Sequence, residues 1–420
     1  MRILPPISDP NAEVVEWLFL DLNSYFASVE QQERPELRGR PVGIAPIITT
    51  NRTVCIAASY EAKAYGVKTG CGVDEARVLC PHIEIVEARP KLYVEYHQRI
   101  LEAVGNCLPV TNVMSVDELA IRLMGRERVV SNATRVAIDI KESIRRVGDT
   151  LRCSVGLAPN RYLAKVAGDM LKPDGMTVLL KRDLPHALYR LKLSDLVGVG
   201  HSMEKHIRRH GISTVEELCN LSEEQMRDLW KSVVGARMWH WLRGVDFNDA
   251  EPLRRSLGKQ HVLAPEFRNR EKAYHVAQKM LQTTAANLRN LDMWAGGIGS
   301  FVEFLQPKNG KPMESWKAEM RICECQDTFT LQTHFSHLWE SCPDGAPIMV
   351  GVWVWNLIPD DLHTMSLFND DDRQQRLSRV MDGINDRFGK SAVYFANIQS
   401  VLGSAPTRIP FKSVPDLTDF

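Results

Sequence analysis

Apolar positions along the chain alternate between the period of a strand and that of a helix, and the first strong run is VVEWLFLDLN. It has the length of a buried strand, is stopped by Asp21, and passes into the helix-like SYFASVEQQ, so it predicts a strand that delivers a carboxylate to its end. RPVGIAP and VCIAASYEAKAYGVKTG predict short strand and helix pieces punctuated by Gly43, Gly66, Gly70 and Gly72, a small turn-rich lobe. Beyond Pro90, KLYVEYHQRILEAVGNCL has helical spacing, NVMSVDELAIRL reads as β with two acids at its centre, NATRVAIDIKESIRRVG as an amphipathic helix and LRCSVGLA as a buried strand. This alternation predicts an α/β domain split around the glycine-rich lobe.

In LVGVGHSMEKHIRRHGISTVEEL a glycine turn precedes a helix, the arrangement of a helix-hairpin-helix. Gly198 and Gly200 would there let backbone N–H groups approach a phosphate; a plain helix connection needing positive φ is the competing reading. After the charged connector AEPLRRSLGK, the patterns KQHVL, NREKAYHVAQKMLQTTAANLRN, GGIGSFVEFL, SWKAEMRICEC, TLQTHFSHLWESC and APIMVGVWVWNL predict the order β-α-β-β-α-β. Strict alternation in VGVWVWNL puts Val350, Val352 and Val354 on one sheet face and Trp353 and Trp355 on the other, so the valine face is expected to pack on the helices. An acidic stretch, DDLHTMSLFNDDD, the amphipathic RQQRLSRVMDGINDRFG and a proline-bearing tail complete the chain.

Composition adds that this pattern belongs to a folded chain: 44% of the 420 residues are hydrophobic and 25% charged, a length that predicts two to four domains. Lys+Arg and Asp+Glu both total 52, so net charge by itself argues for no nucleic-acid role. Its distribution says more, with Lys205, Arg208, Arg209, Arg227, Lys231, Arg237, Arg243, Arg254 and Arg255 crowding the middle and Asp370, Asp371 and Asp372 the end. No run reaches the roughly 18 apolar residues of a membrane span and the start lacks a leader pattern, so a cytoplasmic location is expected. The nine cysteines are scattered, the closest pair being Cys323 and Cys325, and are expected to be core thiols.

Candidate chemistry rests on acids in apolar surroundings. Magnesium takes hard oxygen ligands, and two such ions about 3.5–4 Å apart can activate a hydroxyl and hold both ends of a phosphoryl displacement. Asp21 and the pair Asp117-Glu118 lie in apolar segments where an unpaired acid is expensive to bury. Adjacent strand residues face opposite ways, so Asp117 and Glu118 cannot be equivalent, and one must lie at a strand end or reach around. A blander alternative has Asp21 capping the helix that starts near Ser24 and Glu118 facing solvent.

With DLNSYFASVEQ, ASYEAKAYGVKTG, SVDE, SVGLAPNRYLAKVAGDMLKPDG and VGVGHSMEKHIRRHGISTVEEL in this order over most of residues 15–255, the chain resembles the Y-family DNA polymerases, most strongly the bacterial polymerase IV-like and UmuC-related branches. The resemblance implies a multidomain α/β right hand. Its palm would comprise residues 1–24 and 90–185, its small fingers 25–89, and a helical thumb with the helix-hairpin-helix 186–250. A linker at 251–258, a β-α-β-β-α-β little finger at 259–360 and a C-terminal extension at 361–420 would follow. The implied activity is template-directed DNA synthesis of low fidelity, in translesion synthesis during DNA repair. Ala57, Ala58 and Ser59 would leave room above the templating pair.

Carried over position by position, Asp21, Asp117 and Glu118 resemble the catalytic acids, and with the Leu22 carbonyl they would hold two Mg2+, with Mn2+ as a substitute. Phe26 matches the steric gate against a 2′-hydroxyl, ordinary helix packing being the alternative. Tyr60, Lys63 and Lys172 look like triphosphate contacts; Lys165 is a weaker candidate, with a solvated or ion-paired helical lysine as the other reading. The implied partners are primer-template DNA, held partly through Gly198 and Gly200, and deoxynucleoside triphosphates; the implied state is a monomer away from membranes. TMSLF, residues 364–368, resembles a sliding-clamp peptide in which Leu367 and Phe368 would fill an apolar groove, or else it pins the following helix. Two departures stand out: Lys63 occupies a position commonly arginine, a point charge in place of a planar fork, and Asn23 stands where many relatives have an acid. A non-catalytic adaptor and a nucleotide cyclase are the rival classes; the intact acids oppose the first and the helix-hairpin-helix the second.

Overall fold

A computed structural model describes residues 13–48, 53–247, 253–305, 315–364, 372–410, 414–415 and 417. The chain forms two compact units, residues 1–249 with 408–417, and 250–407 with 418–420. Leu367 and Phe368 lie outside the described residues.

The first unit opens with β1 (Trp17–Leu22) and α1 (Tyr25–Glu33), then β2 (Val42–Ala45), β3 (Ala57–Ala58), α2 (Tyr60–Ala64), α3 (Val73–Leu79) and β4 (Glu84–Glu87). It continues with α4 (Pro90–Gly105), β5 (Asn112–Val113), β6 (Glu118–Arg122), α5 (Val130–Val147), β7 (Cys153–Ala158), α6 (Arg161–Met170) and β8 (Met176–Val178). The central sheet has the order β5-β6-β1-β7-β8, and the small lobe has its own sheet, β3-β2-β4. Because β1 is the middle strand, both its faces are buried and its sequence is a continuous apolar run instead of an alternating one.

Parity sorts the two faces. Leu18, Leu20 and Leu22 share a core with Leu119 and Ile121, with Tyr93, Tyr96, Ile100 and Val104 of α4, and with Ala133, Ala137, Ile140 and Ile144 of α5. Trp17 and Phe19 join the opposite core, with Leu163, Ala164, Val166 and Ala167 of α6. At Gly156 a Cβ would lie 1.9 Å from the Ala164 carbonyl oxygen, so only glycine lets α6 press this closely on β7. The α1 residues Tyr25, Ala27 and Val29 belong to the core of the central sheet, so the expected palm–fingers boundary after residue 24 falls just ahead of a helix that shares that core.

Four short helices follow: α7 (His201–Arg209), α8 (Val215–Cys219), α9 (Glu223–Trp230) and α10 (Val233–Trp241). They extend the α6-side core through Ile207, Val215, Leu218, Met226 and Met238. Gly198 has φ +86°, the left-handed conformation a glycine turn needs, while Gly200 sits at an ordinary −79° as the cap of α7. What precedes this turn is 3₁₀, at Leu193–Asp195, where the helix-hairpin-helix expectation has a full helix. Lys205, Arg208 and Arg209 are exposed, but Arg208 is paired with Glu204 and Arg243 donates to the Cys219 and Trp239 carbonyls.

The second unit runs β9 (Ser256–Val262), α11 (Arg270–Asn290), β10 (Met293–Phe304), β11 (Trp316–Cys325), α12 (Thr328–Glu340), β12 (Pro347–Pro359) and α13 (Asp372–Phe388). Its sheet order β11-β10-β12-β9 gives the β-α-β-β-α-β fold read from the sequence. Val350, Val352 and Val354 are buried with Val276, Leu281, Leu331 and Phe335 of the two helices, while Trp353 and Trp355 lie on the other face against Gly299 and Gly297. Two boundaries differ from expectation. β9 starts at Ser256, inside the stretch read as a linker, because its alternation of exposed and half-buried residues begins there. The region after residue 360 is partly integrated: Arg289, almost fully buried, forms a bidentate pair with Asp382 of α13, and Ile398 and Val401 enter the core. Among the described residues no helix is long and apolar enough to cross a membrane.

Candidate active site

The register of β1 decides which acids meet. Asp21 pairs directly with Glu118 across β6, and with Ser154 across β7. Directly opposed residues in an antiparallel pair send side chains to one face. By parity with Phe19 and Ala120, that is the face covered by α6. Asp117 is the residue just before β6 begins, and the Leu22 N–H donates to its carbonyl oxygen at 2.8 Å. Its carboxylate accepts the Ser115 hydroxyl and acts electrostatically on Asp21, Tyr25 and His97, so it bridges toward the α4 side. Of the two arrangements open to adjacent acids, the strand-end one is realised. Asp21 does not serve as a helix cap; the residue ahead of α1 is Ser24, in a left-handed conformation.

Lysines from and beyond α6 neutralise this face. Lys172 Nζ lies 2.8 Å from Asp21 and 2.8 Å from Asp169, and Lys165 donates to both Glu118 oxygens at 2.7 Å. Lys165 is thus an ion-paired lysine on α6 in this structure. Burial pushes the Asp21 carboxyl up to about 7, against the pull of Lys172 and with smaller repulsion from Asp117 and Asp169. Burial alone would pull Lys172 down, but Asp21 and Asp169 hold it above its ordinary value, protonated.

Lys63 donates to Ser24 Oγ at 2.8 Å and sits 4.4 Å from the Tyr60 ring centroid. Burial and the charge of Lys172 both lower its affinity for a proton, so the two lysines are near enough to repel each other. Such a pair is poised for a polyanion. Phe26, half-buried at the second position of α1, stacks on Tyr93 with centroids 4.4 Å apart. Gly198 and Gly200 lie on the helical lobe ahead of α7, with open space where a Cβ would stand.

The roles of several contributors escaped the sequence reading. Asn23 is buried and structural: its Oδ1 accepts the Asp174 N–H at 2.7 Å and its Nδ2 donates to Ser154, which ties the loop carrying Lys172 to the end of β1. Asp169, three residues before Lys172, shares that lysine with Asp21; the spacing was a usable signal. Lys141 donates to the Cys153 and Asp174 carbonyls, bracing the same loop.

Among the described residues no three acidic, histidine or cysteine side chains form a ready-made metal cage. The donor set is nevertheless of the right kind, hard carboxylate oxygens at one strand end, and magnesium commonly relies on one or two carboxylates with substrate phosphates completing its shell. The raised Asp21 carboxyl is what such a site costs the fold. A carboxyl shifted upward on folding favours the native state fully below pH about 4 and loses that advantage as pH rises through 7. Asp21→Asn, free of this penalty, is expected to melt above the parent at pH 8 in chelator, by the one or two degrees that about 1 kcal/mol produces in a unit of roughly 250 residues or more. Near pH 4 the two should melt together; equal melting at pH 8 would show that Lys172 already offsets the burial cost.

The chain is similar to known proteins along most of its length. A model described as the impB/mucB/samB family matches residues 20–169. DNA polymerase IV of Moorella thermoacetica is 34% identical over 391 residues, 90% of this chain and 95% of the relative. DNA polymerase IV of Pelotomaculum thermopropionicum is 29% identical over 385 residues, 90% and 93% of the two chains. A solved Y-family DNA polymerase chimera, 20% identical, superposes with a TM-score of 0.68 over 82% of this chain and 99% of that one, and shares the fold.

Proposed function

The chain belongs to the Y-family DNA polymerases, in the DNA polymerase IV group, and from that membership we propose how its residues divide the work of nucleotide addition. It is a template-directed DNA polymerase of low fidelity, acting in translesion synthesis. The observation that carries the residue assignment is the direct pairing of Asp21 with Glu118 at one strand end, with Asp117 beside them.

Asp21, Asp117, Glu118 and the Leu22 carbonyl would hold two magnesium ions, which when bound supply the positive charge that activates the primer 3′-hydroxyl and steadies the triphosphate. Lys172 neutralises Asp21 and Asp169 before substrate enters, then passes its charge to the triphosphate. Lys63, braced on Ser24 and Tyr60, contributes the second cation, as a point charge that orients less tightly than a guanidinium would. Lys165 holds the Glu118 carboxylate in place through both its oxygens. Phe26 excludes a 2′-hydroxyl from the sugar position. Backbone N–H groups after Gly198 and at the start of α7 take a DNA phosphate, aided by the helix dipole.

Primer extension by the full chain tests the reading. Extension on an undamaged primer-template should require magnesium, vanish on chelation and return with magnesium or manganese, and should continue across a subset of damaged templates. Metal-independent extension, or none under any divalent ion, would overturn it.

A further inference from the structure

We infer that Tyr93, anchored by the buried carboxylate of Glu30, is a positioning residue for sugar selection, fixing the ring of Phe26 in the place where it acts; the inference rests on the reading of Phe26 as the gate.

A gate that works by bulk must be unable to swing aside. Phe26 lies on the half-buried side of α1, and its ring stacks on Tyr93 at 4.4 Å with an angle of 15° between planes. Tyr93 is itself held at two points. Its hydroxyl donates to Glu30 Oε1 at 2.8 Å, and its backbone carbonyl accepts the Tyr25 hydroxyl at 2.6 Å. Burial keeps the Tyr93 hydroxyl protonated, so it remains a donor.

Glu30 has no exposed surface, and an acid so placed is tolerated only when its oxygens are satisfied. Arg89, the residue ahead of α4, meets it with a fork, at 2.9 and 2.6 Å, and Arg34 approaches to 3.6 Å. The Arg89–Glu30–Tyr93–Phe26 series thus runs from a fully satisfied ion pair to the proposed gate. Glu30 also lies one turn after Phe26 on α1, so the anchor and the gate share one rigid element, with Tyr93 reaching both from α4. The bland alternative is that the pair only fastens α1 to α4, and it predicts a loss of stability without a change in sugar choice.

Tyr93→Phe separates these, because it keeps the stacking ring and removes only the hydroxyl anchor. The measurement is the ratio of kcat/KM for a ribonucleotide to that for the matching deoxynucleotide on a DNA primer-template, with melting followed in parallel. The ratio is expected to rise about two- to tenfold, the net worth of one lost hydrogen bond expressed as a rate ratio, through a lower ribonucleotide KM. In a Phe26→Ala background the same substitution should leave the ratio unmoved. Arg89→Lys, which retains charge on Glu30 but loses the fork, is the second variant and should shift the ratio in the same direction.

If Phe26→Ala raises the ratio but neither Tyr93→Phe nor Arg89→Lys does, the positioning role is overturned while the gate stands. An equal rise from Tyr93→Phe with and without Phe26 would also overturn it, since the effect would then bypass the gate. If Phe26→Ala itself changes nothing, the gate reading falls and takes the inference with it.

Discussion

Asp117→Asn is expected to stop nucleotide incorporation while leaving primer-template binding near the parental level. The substitution is close to isosteric, and the two local contacts that matter for folding survive it. The Leu22 N–H still reaches the residue 117 carbonyl, and an amide oxygen can still accept the Ser115 hydroxyl. What is lost is a negative charge at the end of β6, and with it part of the ligand set for the divalent ions. If that charge contributes about 4 kcal/mol to the transition state, incorporation falls about a thousandfold. DNA affinity depends mainly on the basic residues and should hold or rise slightly as an acid facing phosphate disappears. Single-turnover incorporation and a fluorescence anisotropy titration of labelled primer-template give the two numbers. Extension within tenfold of the parent in magnesium would remove Asp117 from the ligand set.

Phe26→Ala is expected to raise ribonucleotide use on the order of a hundredfold relative to deoxynucleotide use, the scale at which pocket shape discriminates a small group. The ring is half-buried and stacked on Tyr93. Truncation therefore opens space on the nucleotide side and also costs some stability, less than the about 3–5 kcal/mol of a fully buried phenylalanine. Phe26→Leu restores most of the bulk and should fall between the two in selectivity. Steady-state insertion of a matched ribonucleotide and deoxynucleotide, with melting curves for each variant, separates the effects. Parental selectivity in a folded Phe26→Ala protein would make this residue a packing residue only.

Much of the candidate site could be read along the chain because its members sit at changes of period. Asp21 ends an uninterrupted apolar run, and the acids at 117 and 118 break into another; each is expensive unless something meets it. The β-α-β-β-α-β order of the second unit was legible for the same reason, since strands and helices of ordinary length alternate cleanly there. The boundaries that shifted, at Ser256 and beyond residue 360, lie where local pattern is weak. There, long-range contacts such as Arg289 with Asp382 decide membership of the fold.

Partnerships were another matter. Periodicity states which residues of one strand share a face but not which strand lies opposite, so only the antiparallel register sets Asp21 against Glu118. The approach of α6 over Gly156, and the loop tied down through Asn23 and Asp174, bring Lys165 to Glu118 and Lys172 to Asp21. Sequence reading separated Lys172, a triphosphate contact, from Lys165, a weaker candidate, but named no partner for either; the fold sets Lys165 against Glu118 of β6 and Lys172 between two acids. Glu30 shows the limit most plainly. In sequence it is one acid in a helix; that it is buried, that Arg89 meets it, and that the same carboxylate holds the ring behind Phe26 follow only from packing α4 against α1.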